Sequence, residues 1–178
     1  GITLTANSLG DAELNTATAA VIIAGTVDSD SGTDGAGTTL IDADIGTTFA
    51  NNVGATTAIE LMTVADSIQV DIDGATNAIE SVVITDAGVV EFDAAADQTF
   101  TGAITFAADD DGTIINANTD GELTITGAIG TATIGATEIT LNDGANTNFN
   151  NAIFALTLDI DTNGETTVFE AAGNEIGD

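Results

Sequence analysis

The sequence predicts an all-β protein folded as a parallel β-solenoid, or β-helix, with coils of about 20 residues. Three observations predict this fold: apolar and polar residues alternate in short runs, the sequence repeats internally, and its 178 residues contain no Pro. Alternation with a period of two is typical of strands with one buried face, and Pro would remove hydrogen bonds from a strand ladder. Residues 1–178 are therefore expected to form a single β-repeat domain.

The alternation is clearest at 68–73, 121–126 and 138–142, where aliphatic residues take every other position between polar ones. Ile, Val, Thr and Phe are the residues that strands favour. Clusters of Gly, Asn and Asp follow such runs, as at 109–112 and 143–146, and these clusters are typical of turns. The chain is therefore predicted to consist of short strands separated by tight turns.

The shorter internal repeat has a period of 20 residues, because Thr-Ala-Ile-Glu at 57–60 returns as Asn-Ala-Ile-Glu at 77–80. The same offset relates further pairs of similar residues: Val64 and Ile84, Val70 and Val90, Asp71 and Glu91, Ile72 and Phe92. In a solenoid, a repeat of this length corresponds to one coil whose strands pair with those of the next coil. A constant period would divide the chain into about nine coils.

A longer repeat of approximately 50 residues is marked by Phe49, Phe100 and Phe149. An apolar residue stands eight positions before each Phe and another stands four positions after it; these residues are Ile41, Phe92, Leu141, Val53, Ile104 and Ile153. The domain is therefore predicted to contain units of about 50 residues, each spanning more than one coil.

An antiparallel β-sandwich assembled by donor-strand exchange is the alternative fold. Short strands with turns between them also suit a sandwich, and Asn163-Gly164 is a two-residue hairpin signal. Residues 1–6 would then be the donated strand. The Ala-rich segments 12–24 and 50–59 leave short helices open as a further alternative.

The charge balance excludes several classes of partner. The chain has 29 acidic residues and no Lys, Arg or His, which gives a net charge of −29, although its mean hydropathy is +0.28. Without cationic side chains it is not expected to bind nucleic acid or anionic membrane surfaces, and no apolar run is long enough to insert into a membrane. Salt or divalent cations must screen the repulsion between the acidic side chains. This requirement indicates an extracellular or cell-surface location.

The same missing residues argue against catalysis. The chain has no His, Cys, Lys or Tyr to act as a base, nucleophile or Schiff-base former. It has no cation to stabilise a developing anion and no zinc-ligand set. The protein is therefore predicted not to be an enzyme, and no catalytic or cofactor-binding residue is assigned.

Two Asp-rich segments are candidate calcium sites. The segment 159–170 matches the EF-hand loop pattern, but its flanks are strand-like, so a turn or a calcium site of another kind is expected there. The segment 28–35 places carboxylates at alternate positions of a Gly-rich loop, and such a loop can direct them at one hard cation. The candidate Ca²⁺ ligands in the two segments are Asp28, Asp30, Asp34, Asp159, Asp161 and Asn163.

A third acidic group follows from the 20-residue repeat. Asp71 and Asp73 lie two positions apart, so they point to one side of a strand. Glu91 and Asp93 would stack on them in the next coil. Because like charges directly opposite each other are destabilising, a cation could bridge the two pairs. The short run Asp109-Asp110-Asp111-Gly112 is a weaker candidate, since adjacent side chains diverge.

The repeats at 90–106 (VEFDAAADQTFTGAITF) and 121–130 (GELTITGAIG) resemble those of large bacterial surface proteins. The similarity is to autotransporter passengers and filamentous-haemagglutinin-like proteins, and it extends over roughly 38–164. This resemblance implies a parallel β-helix exposed at a cell surface, with adhesin-type repeats.

The expected function is that of a structural subunit or repeat segment of an extracellular filament, surface layer or surface fibre. Open solenoid ends expose unpaired strands, which can template end-to-end stacking, so the main expected partner is the protein itself. An adhesin stalk or binding module for surface glycans, and a donor-strand pilus subunit, are the alternative functions.

Overall fold

The protein is a parallel β-solenoid in a computed structural model. The structure describes residues 1–4, 12–16, 19–29, 39–142, 146–160, 166–170 and 174–176. Within these ranges there is no helix, and the strands stack in about six coils of roughly 23 residues. The predicted fold class is therefore confirmed, but the coils are longer and fewer than the 20-residue repeat predicts.

The described ranges contain eighteen short strands: β1 Ile2–Leu4, β2 Ala12–Asn15, β3 Val21–Ile23, β4 Val27–Ser29, β5 Thr39–Ala43, β6 Thr47–Phe49, β7 Ile59–Val64, β8 Gln69–Ile72, β9 Thr76–Ile84, β10 Val89–Phe92, β11 Gln98–Phe106, β12 Asp111–Asn116, β13 Glu122–Ile125, β14 Ala136–Leu141, β15 Asn146–Phe149, β16 Phe154–Ile160, β17 Thr167–Phe169 and β18 Glu175–Ile176. Strands occupy part of the first Ala-rich segment, and no helix forms in the described part of either one.

All pairings between these strands are parallel, and each strand pairs with strands of neighbouring coils rather than with the next strand along the chain. The alternative of an antiparallel sandwich with donor-strand exchange is therefore wrong. Its hairpin signal, Asn163-Gly164, lies outside the described residues. Parallel pairing requires a long crossover between partners, and here the rest of each coil supplies that crossover.

The pairings define three faces, named here A, B and C. Face A contains β1, β4, Val53, the first halves of β9 and β11, and then β13, β15 and β17. Face B contains β2, β5, β7 and the second halves of β9 and β11, and it continues through Ile129 and Ile153. Face C contains β3, β6, β8, β10, β12, β14, β16 and β18.

Inward rows on the three faces form the core. The face B row has a similar aliphatic residue in each coil and is fully buried: Ile41, Met62, Val82, Ile104, Ile129 and Ile153. Phe92 of face C meets Phe100 of face A edge-on, with ring centroids 5.3 Å apart. Burial of each such side chain contributes about 1.5–3 kcal/mol, so the stacked rows are the main source of stability.

The 20-residue repeat is confirmed for two successive coils. Ile59 pairs with Ile79, Val70 with Val90, and Ile72 with Phe92, each at the predicted offset. Elsewhere the offset between paired residues varies, from 19 positions at Ala136 and Ala155 to 27 at Ala12 and Thr39. The variation arises in the corners, because the paired strands keep their register while the turns between faces differ in length.

The three marker Phe residues do not occupy equivalent positions. Phe100 and Phe149 lie two coils apart in one inward row of face A, with Ile125 between them. Phe49 lies instead in face C, where it pairs with Ile72. The Phe49–Phe100 interval therefore does not mark a repeat unit, because any inward position can accept a large apolar side chain.

Candidate functional site

The acidic ladder, defined as Asp71, Asp73, Glu91 and Asp93, is a group of carboxylates that the fold brings together across two coils. Asp71 and Glu91 pair directly across β8 and β10, as the 20-residue offset predicts. Both are half-buried and point outward between the buried core residues of face C. The ladder therefore places carboxylates of adjacent coils side by side, at the strand spacing of about 4.8 Å.

Asp71 is held by two donors. The Thr48 hydroxyl of the preceding coil donates to its Oδ2 at 3.0 Å, and Gln69 Nε2 donates to its Oδ1 at 2.7 Å. On the other side of the ladder, Glu91 pairs with the apolar Ile115. The ladder is thus bounded by neutral side chains in both neighbouring coils.

Burial and mutual repulsion disfavour ionisation in the ladder. The pKa of Glu91 is raised, first by burial and then by the charges of Asp71, Asp93 and Asp73. The pKa of Asp73 is also raised, again first by burial and then by Asp93 and Asp71. Since the sequence has no cationic side chain, only solvent ions or protons can relieve this repulsion.

The candidate calcium ligands are not gathered into one site. Asp28 lies in β4, and its Oδ1 accepts a hydrogen bond from the Thr56 backbone N–H at 2.9 Å, which ties two coils together. Asp159 lies exposed near the end of β16, several coils away. The other four, Asp30, Asp34, Asp161 and Asn163, lie outside the described residues.

Within the described part of the chain, no three acidic residues form a group that could hold a metal ion. Both flanks of the EF-hand-like segment are strands, β16 and β17, as predicted. Calcium binding stays a prediction that depends on loops beyond the described ranges.

The run 109–112 spans the turn between faces B and C and the first two residues of β12. Asp109 Oδ1 accepts from the Gly135 backbone N–H at 3.0 Å, and Asp111 Oδ2 accepts from the Ala108 N–H at 2.8 Å. Asp110 and Gly112 both have positive φ, 58° and 65°. Asp and Gly tolerate this left-handed conformation better than most residues do, so the composition of the run is explained by turn geometry.

The two ends of the solenoid form the other candidate site. Large apolar side chains that are exposed in the described ranges all lie in the first or last coils: Ile2, Ile22, Leu156, Ile160, Val168, Phe169 and Ile176. At the first coils, a recess of about 270 Å³ is lined mainly by Ile2, Leu14, Val21 and Ile23. Four of the seven exposed side chains, Ile2, Ile160, Phe169 and Ile176, continue inward rows whose paired members are buried. Ile22, Leu156 and Val168 point outward instead.

Buried amide side chains inside the corners were not anticipated from the sequence. Asn77 Oδ1 accepts from the Val53 N–H at 3.0 Å, and Asn118 Oδ1 accepts from the Ala94 N–H at 2.6 Å. Gln98 Nε2 donates to the carbonyls of Ile72 and Gly74. These residues interrupt the apolar alternation, and only the fold shows that they satisfy backbone groups where a strand ends.

None of the described segments is a helix long and apolar enough to cross a membrane. Comparisons of the chain with protein-family models, with curated proteins and with solved structures find no match.

Proposed function

We propose that the chain is a structural segment of an extended β-solenoid rod that associates with itself through the strand edges at its ends. The observation that carries the proposal is that inward-row apolar side chains which are exposed in the described ranges lie in the first and last coils: Ile2, Ile160, Phe169 and Ile176. An additional coil stacked at either end would cover these ends of the inward rows and pair with strands that have only one partner in the described structure.

The proposed setting is an extracellular filament, surface layer or surface fibre. The net charge of −29 keeps rods apart laterally, whereas end-to-end contact buries apolar surface. Such contact would strengthen with ionic strength, because salt screens the repulsion. No catalytic role is proposed, since the chain has no His, Cys, Lys or Tyr to act as a base or nucleophile.

The test uses a charge introduced at one end and a matched charge on a side face. Phe169→Lys alters the exposed end of an inward row in the last coils, and Val89→Lys alters an outward position of face C, in the middle of the rod. Sedimentation velocity over a range of NaCl and protein concentrations would measure the assembly size. We expect salt-dependent assembly of the parent chain and of Val89→Lys, but not of Phe169→Lys.

Equal assembly of the two variants would contradict an association through the ends. A parent chain that stays monomeric at high salt and high concentration would contradict self-association altogether. Circular dichroism of each variant would verify that the solenoid is intact.

A further inference from the structure

Face A carries an ordered array of neutral side chains, the Thr/Asn array, which consists of Thr99, Thr101, Thr124, Thr126, Asn148 and Asn150. Thr99 pairs with Thr124, and Thr124 with Asn148. Thr99, Thr124 and Asn148 thus form the first column, and Thr101, Thr126 and Asn150 form the second. The second column follows the same register, because the Thr126 N–H donates to the Phe100 carbonyl and the Asn150 N–H donates to the Ile125 carbonyl. Three successive coils thus present Thr-x-Thr, Thr-x-Thr and Asn-x-Asn.

The array is regular in two directions. Neighbouring coils are about 4.8 Å apart, and residues two apart along a strand are separated by about 6.6 Å. Thr76 extends the first column by one coil on the side of Thr99. The spacing is set by backbone hydrogen bonds rather than by the side chains themselves, so it is the same in each coil.

The core holds the array rigid from behind. Phe100, Ile125 and Phe149 lie between the outward residues and are buried. The Phe149 ring stacks on that of Phe169 in the following coil, with centroids 5.5 Å apart. A close-packed backing of this kind leaves little freedom for the strands to move relative to one another.

Two of the hydroxyl groups have their protons engaged within the protein. The Thr124 hydroxyl donates to Glu122 Oε1 at 3.2 Å, and the Thr126 hydroxyl donates to the Phe100 carbonyl at 3.4 Å. Each hydroxyl oxygen keeps acceptor capacity. These oxygens can therefore accept hydrogen bonds from a surface laid against the face.

The array is uncharged in a chain whose net charge is −29. Asp97 and Glu122 lie only at its border, two positions before Thr99 and Thr124. The array has no Trp, Tyr or Arg, which carry most protein–protein hot spots, and no aromatic platform for a sugar ring. It is also a sheet face rather than a concavity of the kind that encloses small ligands.

We propose that the Thr/Asn array binds the surface of ice. Ice exposes a neutral, rigid lattice of hydrogen-bonding oxygen atoms that repeats in two directions over distances similar to those of the array. Because the small neutral side chains of the array stand at fixed spacings, several of them can contact such a lattice simultaneously. Carboxylate faces such as the acidic ladder organise water around their charges instead, so we expect only face A to bind.

The test compares charges placed on and off the array. In the double variant Thr101→Glu/Thr126→Glu, two carboxylates interrupt the second column. In the control Thr105→Glu/Thr140→Glu, the same change is made at outward positions of faces B and C. Ice recrystallisation in frozen protein solutions and the shape of single ice crystals held just below their melting point would be observed by microscopy.

We expect the parent chain and the control to slow recrystallisation and to produce faceted crystals, and the array variant to lose both effects. Round crystals and unchanged recrystallisation with the parent chain would overturn the proposal, as would equal losses in both variants when both fold. A parallel assay with crystalline cellulose separates ice from polysaccharide. Cosedimentation of the parent chain with cellulose, without any effect on ice, would assign the array to polysaccharide and overturn the proposal.

Discussion

The middle coils and the end coils are built from the same pattern but differ in how much of it is covered. In the middle, Phe92 and Phe100 are fully buried, and each strand has partners in the coils on both sides. In the last coils, the exposed fraction of Phe169 reaches 39%, although it belongs to the same inward row as Phe100. The difference shows that a coil is completed by its neighbours, since a single coil cannot bury its own apolar side chains.

The largest expected difference in stability is between removing an aromatic ring from the middle coils and removing one from the end coils. Phe92→Ala would leave a cavity in a fully packed core, and we expect the free energy of unfolding to fall by about 3–5 kcal/mol. Phe169→Ala removes a ring that is already partly exposed, so its effect is expected to be much smaller. Urea titration followed by circular dichroism would measure both, and similar losses would contradict the account of the end coils.

A smaller loss of stability is expected from a substitution at the corner between faces A and B. Gly102 has a φ of 133°, where β11 shifts register, and a Cβ at this position would overlap the Ile79 carbonyl. Gly102→Ala is therefore expected to destabilise the fold by about 1–3 kcal/mol, because the backbone must move to relieve the strain. Gly46→Ala is the control, since its Cβ would meet only ordinary contacts. The same urea titration would compare them, and equal midpoints would show that the corner needs no glycine.

The smallest expected change in stability comes from substitution in the acidic ladder, and it depends on pH. Because the folded pKa values of Glu91 and Asp73 are raised above their unfolded values, the native state binds protons more tightly than the unfolded chain does. These two groups therefore reduce stability above their folded pKa values, and the penalty disappears as the pH falls below the unfolded values.

Glu91→Gln should remove part of this penalty. We expect it to raise the free energy of unfolding at pH 7 by less than about 1 kcal/mol, since solvent screens partly exposed charges, and to have no benefit once the pH is below about 4. Glu138→Gln is the matched control on face C, where the neighbours are Thr113 and Thr157. Thermal melts from pH 3 to 7 would check this, and a pH-independent gain would exclude the electrostatic cause.

The sequence alone was sufficient for the parts of the molecule in which the coils are most alike. The offset that relates Ile59 to Ile79 and Asp71 to Glu91 predicted both the parallel pairing and the acidic ladder. The assignment of Phe49 failed because every face has inward positions that accept Phe, so spacing between aromatic residues does not identify a face. Coil length was mispredicted for a related reason, since corner turns vary without altering the strand register.

The candidate sites were harder to predict than the fold. Asp28 and Asp109 lie in acidic segments typical of cation sites. Their carboxylates nevertheless accept hydrogen bonds from backbone N–H groups of neighbouring coils. Asn77 and Gln98 satisfy buried backbone groups that no sequence pattern marks. The regularity of the Thr/Asn array becomes apparent only once the register aligns Thr99 with Thr124, because those residues are not at the offset of the 20-residue repeat.

The most direct test of end-to-end association is cryo-electron microscopy of the protein assembled at high salt. End-to-end association predicts unbranched rods in which strands about 4.8 Å apart continue across each junction between chains, with Phe169 buried there. Particles of single-chain length, or rods that associate side by side through their acidic faces, would contradict it.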